Sequence, residues 1–168
     1  TRYRIRTSSG GTEFEQVVIA TPAYVAAELI RGWQPELAQQ LATIEYASSA
    51  VVVSAHRLRD VSHPLDAYGL VIPARERRRI LAVSFLSRKF PAAAPPDRIV
   101  LRTFVGGALQ PELLTLPDDE LQRVVQEELQ QLLGVTGTPD VVRVVRYPRA
   151  MPQYHVGHLD RIARIEEL

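Results

Sequence analysis

The chain alternates between two hydrophobic rhythms, and the points where the rhythm changes outline its elements. Tyr3-Arg-Ile-Arg-Thr7 alternates with the period of two expected of a half-buried strand. Ser8-Ser-Gly-Gly-Thr12 is turn chemistry, and Phe14 to Ala20 carries the apolar run Val17-Val18-Ile19. Together they predict an antiparallel hairpin. Thr21-Pro22 then reads as an N-cap followed by proline at the first helical position, opening a helix that runs to about Ile30 and stops near Gly32. A second short helix is predicted from Pro35 to about Thr43, with Leu37, Leu41 and Ile44 at helical spacing.

From Tyr46 the period shortens. Tyr46 to Arg57 contains Ala50-Val-Val-Val53, a β-branched run expected in a well-buried strand. Further strands are predicted at Tyr68–Ile72, Arg79–Ser87 and Ile99–Val105, the last ended by Gly106-Gly107. Pro117-Asp-Asp-Glu120 opens the clearest helix, because acids suit the positive end of the helix dipole. Leu121, Val124, Val125, Leu129, Leu132 and Leu133 form its apolar face, and Gly134 stops it. Val141–Arg146 is the last predicted strand, and a final helix starts near Gly157. Strands and helices mix without regular β–α–β alternation. The fold class is therefore α+β: a mixed, mainly antiparallel sheet of about five strands with flanking helices, plus the N-terminal hairpin.

Composition narrows the function classes. At 168 residues, 46% hydrophobic and 23% charged, the chain can form one ordinary core or one core with an appendage. A net charge of +1 gives no reason to expect a nucleic-acid partner. With no cysteine, disulfides and thiolate chemistry are excluded. No apolar run approaches the roughly 20 residues of a membrane span, and no signal-peptide pattern is present. The chain begins at Thr1 directly in strand-like sequence and ends within a helical pattern, so it reads as an internal segment of a longer protein.

Few residues carry chemistry of their own. His155 and His158 are three apart and could share a helical face, but no neighbouring acid or cysteine completes a metal set, so no metal is expected. Ser8, Ser48, Ser49, Ser54 and Ser87 sit in no nucleophile context. Arg75, Arg77, Arg78 and Arg79 read as a solvated turn between strands, and Gly106-Gly107 as a strand end. There is no Gly-x-Gly-x-x-Gly, hence no dinucleotide-phosphate loop. No catalytic residue is expected.

Six segments, in order, resemble the protoporphyrinogen oxidase family of flavoenzymes. They are Val17-Val-Ile-Ala-Thr-Pro-Ala23, Tyr46-Ala-Ser-Ser-Ala-Val-Val-Val53, Tyr68-Gly-Leu-Val-Ile-Pro73, Lys89-Phe-Pro91, Phe104-Val-Gly-Gly107 and Met151-Pro-Gln-Tyr-His-Val-Gly-His158. The resemblance implies a substrate-binding central segment of an enzyme that oxidises protoporphyrinogen IX or coproporphyrinogen III with FAD. Residues 1–31 would be a hairpin and helix of the FAD domain, 32–147 the substrate-binding domain, and 148–168 a return segment. Both nucleotide-binding ends would lie outside this chain, as would the family's propionate-binding arginine, so no FAD is expected on this segment alone. Carried over by position, Tyr68, Gly69, Val71 and Phe104 would line the tetrapyrrole pocket, and Tyr154 would lie near the flavin in the intact enzyme. The implied partners are a tetrapyrrole and the remaining FAD-domain segments, with self-association through the apolar surface those segments would cover. The implied location is cytoplasmic, with peripheral membrane attachment left open. A free-standing binding module, or part of another amine-oxidase-like flavoenzyme such as a carotenoid desaturase, are the alternatives.

Overall fold

The structure is a computed structural model that describes residues 2–168. Twelve elements follow one another: β1 (Tyr3–Thr7), β2 (Gly10–Phe14), α1 (Ala23–Ile30), α2 (Pro35–Ala42), β3 (Tyr46–Arg57), β4 (Gly69–Val71), β5 (Ala82–Phe85), α3 (Leu86–Lys89), β6 (Arg98–Gly106), α4 (Asp118–Leu133), β7 (Val141–Pro152) and α5 (His158–Glu167). They divide into two compact units, one of residues 1–45 and 154–168, the other of residues 46–153. The class is α+β. Among the described residues, no helix is long and apolar enough to cross a membrane.

The larger unit is a five-stranded sheet in the order β4-β5-β6-β3-β7, and every neighbouring pair is antiparallel. The β-branched run of β3 sits in the interior of the sheet, between β6 and β7, with Ala50, Val51 and Val52 buried and Val53 half-buried. Strand β6 alternates: Ile99, Leu101, Thr103 and Val105 are buried, whereas Arg98, Val100, Arg102 and Phe104 are half-buried. The buried set belongs to one core with Ala50, Val52, Val83 and Phe85 of the sheet and Leu121, Val125, Leu129 and Leu133 of α4. Each such large side chain removed from water contributes about 1.5–3 kcal/mol, which fixes the face on which α4 lies. The helix has Asp118, Asp119 and Glu120 in its first turn and ends at Gly134, with φ of 59°. A Cβ on Gly134 would stand 1.9 Å from the Ser62 hydroxyl, so glycine is needed there for space as well as conformation.

Strand β7 departs from expectation. It does not end at Arg146 but continues through Pro148 to Pro152. Proline supplies no N–H to a ladder, but β7 is an outer strand with only β3 beside it, so one edge needs no donors. Pairing slips between Ser49↔Tyr147 and Ala47↔Met151. The intervening residues bulge, Arg149 takes a left-handed φ of 49°, and its N–H donates to Ser48 Oγ at 3.0 Å. The strand expected over Arg79–Ser87 is shorter, because Leu86–Lys89 closes into the helical turn α3.

In the smaller unit β1 and β2 pair around the two-residue turn Ser8-Ser9, with Arg4 directly opposite Glu13 and ion-paired to it. The second hairpin strand is Gly10–Phe14, not Phe14–Ala20. Val17-Val18-Ile19 has no ladder partner among the described residues and instead lines a concavity of about 620 Å³ with Tyr3, Ile5, Leu29 and Trp33. Thr21 is not the N-cap of α1. Pro22 holds that position, with φ of −52° and an extended ψ of 146° that place it just outside the helix. Ala27, Ile30 and Ala38 form this unit's small core.

Candidate functional site

Only one face of the five-stranded sheet is covered by α4. Strand pairing places the other face's residues in rows. One row runs Val71–Ala82–Phe104–Val51–Val145, and the next runs Gly69–Ser84–Arg102–Val53–Arg143. The first is wholly apolar. The second is polar or cationic at three of its five positions.

Three of the four residues expected to line a pocket, Gly69, Val71 and Phe104, therefore share this open face. Val71 is 81% exposed on the outer strand β4, and Phe104 is half-buried two strands in. Tyr68 lies one residue before β4 and is 67% exposed; its carbonyl accepts the Phe85 N–H at 3.0 Å, extending the β4–β5 pairing. Gly69 has a local structural cause. Its φ is 151°, and a Cβ there would stand 2.3 Å from the carbonyl oxygen of Val83. Gly106 ends β6 and Gly107 follows it, with φ of 90° and 74°, and the Leu114 side chain packs where a Gly106 Cβ would be.

The arginines after β4 are only partly solvated. Glu128 of α4 is 4% exposed, and its Oε1 accepts from Arg79 Nε at 3.2 Å and from the Arg79 N–H at 3.4 Å. Arg78 Nε lies 2.8 Å from Glu128 Oε2, and Gln110 Nε2 donates to the Arg78 carbonyl at 2.6 Å. The solvated-turn expectation fails for these two residues because a buried carboxylate needs cationic partners. One signal of this was available: Glu128 falls on the same helical face as Leu121, Val125 and Leu129, where an acid is out of place unless paired.

The histidines do not assemble. His155 lies outside α5, so it does not share a helical face with His158; its Nε2 is 3.3 Å from Glu45 Oε2. His158 stacks on Tyr154 at 4.2 Å between ring centroids. No group of three or more metal-ligating side chains occurs among the described residues. His56 is buried in β3, 2.9 Å from Ser54 Oγ. Burial holds its pKa below the ordinary imidazole value of 6.5, against the opposing pull of Asp140 and Asp60. Native His56 is therefore neutral where the unfolded chain begins to take up a proton. The stability it permits is full above about pH 6.5 and is lost as pH falls from there towards the depressed folded pKa. Urea midpoints measured from pH 7.5 down to pH 5 should decline for this reason. His56→Gln, which cannot titrate, should flatten that decline, and an unchanged slope would refute the assignment.

The family model described as "Flavin containing amine oxidoreductase" matches residues 1–167. Protoporphyrinogen oxidase 2 of Arabidopsis thaliana is 31% identical over 160 residues, covering 92% of this chain and 32% of that protein. Coproporphyrinogen III oxidase of Bacillus subtilis is 30% identical over 165 residues, covering 98% and 35%. The crystal structure assigned as a protoporphyrinogen oxidase of Exiguobacterium sp. 255-15 superposes with a TM-score of 0.75 at 31% identity, over 99% of this chain and 36% of that one. Reduced UDP-galactopyranose mutase shares the fold at a TM-score of 0.68 and 13% identity. The chain thus spans about a third of the length of the curated relatives it matches. With the family model matching nearly every residue, the chain belongs to the flavin-containing amine oxidoreductase family.

Proposed function

We propose that this chain is the substrate-binding central segment of an FAD-dependent porphyrinogen oxidase, acting on protoporphyrinogen IX or coproporphyrinogen III. One observation carries the reading: the apolar row Val71–Ala82–Phe104–Val51–Val145 on the sheet face away from α4, exposed at Val71 and Val145, half-buried at Ala82 and Phe104, and buried at Val51. A flat macrocycle suits such a row, with aliphatic and aromatic side chains against the ring and polar groups at its rim. Substrate binding, expected over residues 32–147, falls to the unit of residues 46–153, with Tyr68, Gly69, Val71 and Phe104 placed about its open face.

The smaller unit would belong to the flavin domain. Its exposed Val18, Leu29, Trp33, Val156 and Leu159 suit an element completed by further segments of the same domain. Tyr154, 72% exposed and stacked on His158, would then lie towards the flavin. The residues present do not themselves fit a dinucleotide: all strand pairings among the described residues are antiparallel, so no β–α–β phosphate turn exists here. What these residues do is bind and orient a ring and keep water from its face. The redox step falls to the flavin domain.

Phe104→Ala in the full-length enzyme tests this. Removing the ring from the centre of the row should weaken porphyrinogen binding about tenfold, by the loss of roughly 1.4 kcal/mol of contact, with FAD content unchanged. Equal losses of substrate and flavin would overturn the reading, because Phe104 would then be acting as core.

A further inference from the structure

We propose that Arg102 anchors a carboxylate at the rim of the bound tetrapyrrole, with Arg143 as a second cation on the same row. The proposal rests on the porphyrinogen reading and adds the charge chemistry of that site. Arg102 and Phe104 are two apart on β6 and face the same side of the sheet. The Arg102 guanidinium carbon lies 4.9 Å from the centroid of the Phe104 ring. That stacking fixes the position of the cation while leaving its N–H edge free for a planar acceptor.

Neither Arg102 nor Arg143 forms an ion pair among the described residues, although most other arginines of this unit do: Arg57, Arg59, Arg75, Arg78, Arg79, Arg98, Arg123 and Arg146 all meet acids. Arg102 is moreover half-buried, at a position flanked by Ser84 and Val53 rather than by an acid. Arg143 stands on the far side of Val53, on the strand beyond β3, so the two backbones are about 10 Å apart. The open face is thus amphiphilic in register. An apolar row fits the ring, and a parallel row carrying two uncommitted guanidinium groups fits its acidic substituents. A carboxylate offers Arg102 the paired acceptors that no residue of its own row provides.

The experiment uses the full-length enzyme with Arg102→Met, which keeps the stem, and Arg102→Lys, which keeps the charge. Coproporphyrinogen III is the substrate, since its propionates are spread over all its rings. Coproporphyrin III and its tetramethyl ester are the binding probes, read by fluorescence. R102M should raise KM about tenfold with kcat changed less than about threefold, the size of one charge-assisted hydrogen bond. It should weaken the acid about tenfold and leave the ester unchanged, and R102K should lose less than R102M. An unchanged KM in R102M, or equal losses for acid and ester, would overturn the proposal while leaving the porphyrinogen reading intact. A wild-type enzyme that neither oxidises the substrate nor binds either probe would instead remove that reading, and this inference with it.

Discussion

Gly69→Ala should destabilise the larger unit by about 3 kcal/mol and cost more than tenfold in porphyrinogen affinity. Strand β4 has three residues and lies at the sheet's edge, held by β5 through Gly69↔Ser84, Leu70↔Val83 and Val71↔Ala82. An alanine Cβ at position 69 would meet the Val83 carbonyl oxygen at 2.3 Å and the Ser84 Cα at 3.0 Å. Both are backbone atoms, so no rotamer change relieves the clash. The φ of 151° adds conformational cost for any residue with a Cβ. The strand must move away by about an ångström, and on so short an edge this forfeits most of its ladder. Val71 and the adjacent Tyr68 move with it, which ties the stability loss to the proposed site. Urea unfolding of the variant, with porphyrinogen KM and FAD content measured beside it, checks the prediction. Stability within about 0.5 kcal/mol of wild type would show that the sheet accommodates the methyl group.

The parts of this fold that can be read from sequence are those whose signals are local. Tyr46–Arg57 matches β3 end to end because a β-branched run needs nothing distant to declare itself a strand. Helix α4 carries its own start in three acids and its own stop in Gly134. Expectation fails where the deciding fact is tertiary. Pro148 and Pro152 argue against a strand until β7 is known to be an outer one. Val17-Val18-Ile19 has strand composition, but a strand also needs a partner, and the hairpin pairing is already complete at Phe14. The same division applies to the site. Alternation alone puts Arg102 and Phe104 on one side of β6, yet which side α4 leaves open depends on packing fifteen and more residues later.

Glu128→Ala is expected to cost about 3 kcal/mol, near the lower limit for breaking a buried ion pair. The carboxylate is almost wholly buried, but the Arg78 side chain retains 25% of its exposure, so part of the freed charge regains water. Arg79 also keeps its contact to Glu127 at 2.6 Å, which limits the loss further. Glu128→Gln, similar in shape and still able to accept a hydrogen bond, should cost about half as much. The double variant Arg78→Met with Glu128→Leu should recover part of the loss, because an apolar pair leaves no orphaned charge. A functional consequence follows from where the pair sits. Residues 72–81 join β4 to β5, and Glu128 holds that connection against α4 through Arg78 and Arg79. Freeing it loosens the edge strand that carries Val71, so E128A should raise porphyrinogen KM several-fold as well as lower the melting temperature. An E128A protein that melts early but binds substrate as wild type does would show that β4 is held by β5 alone.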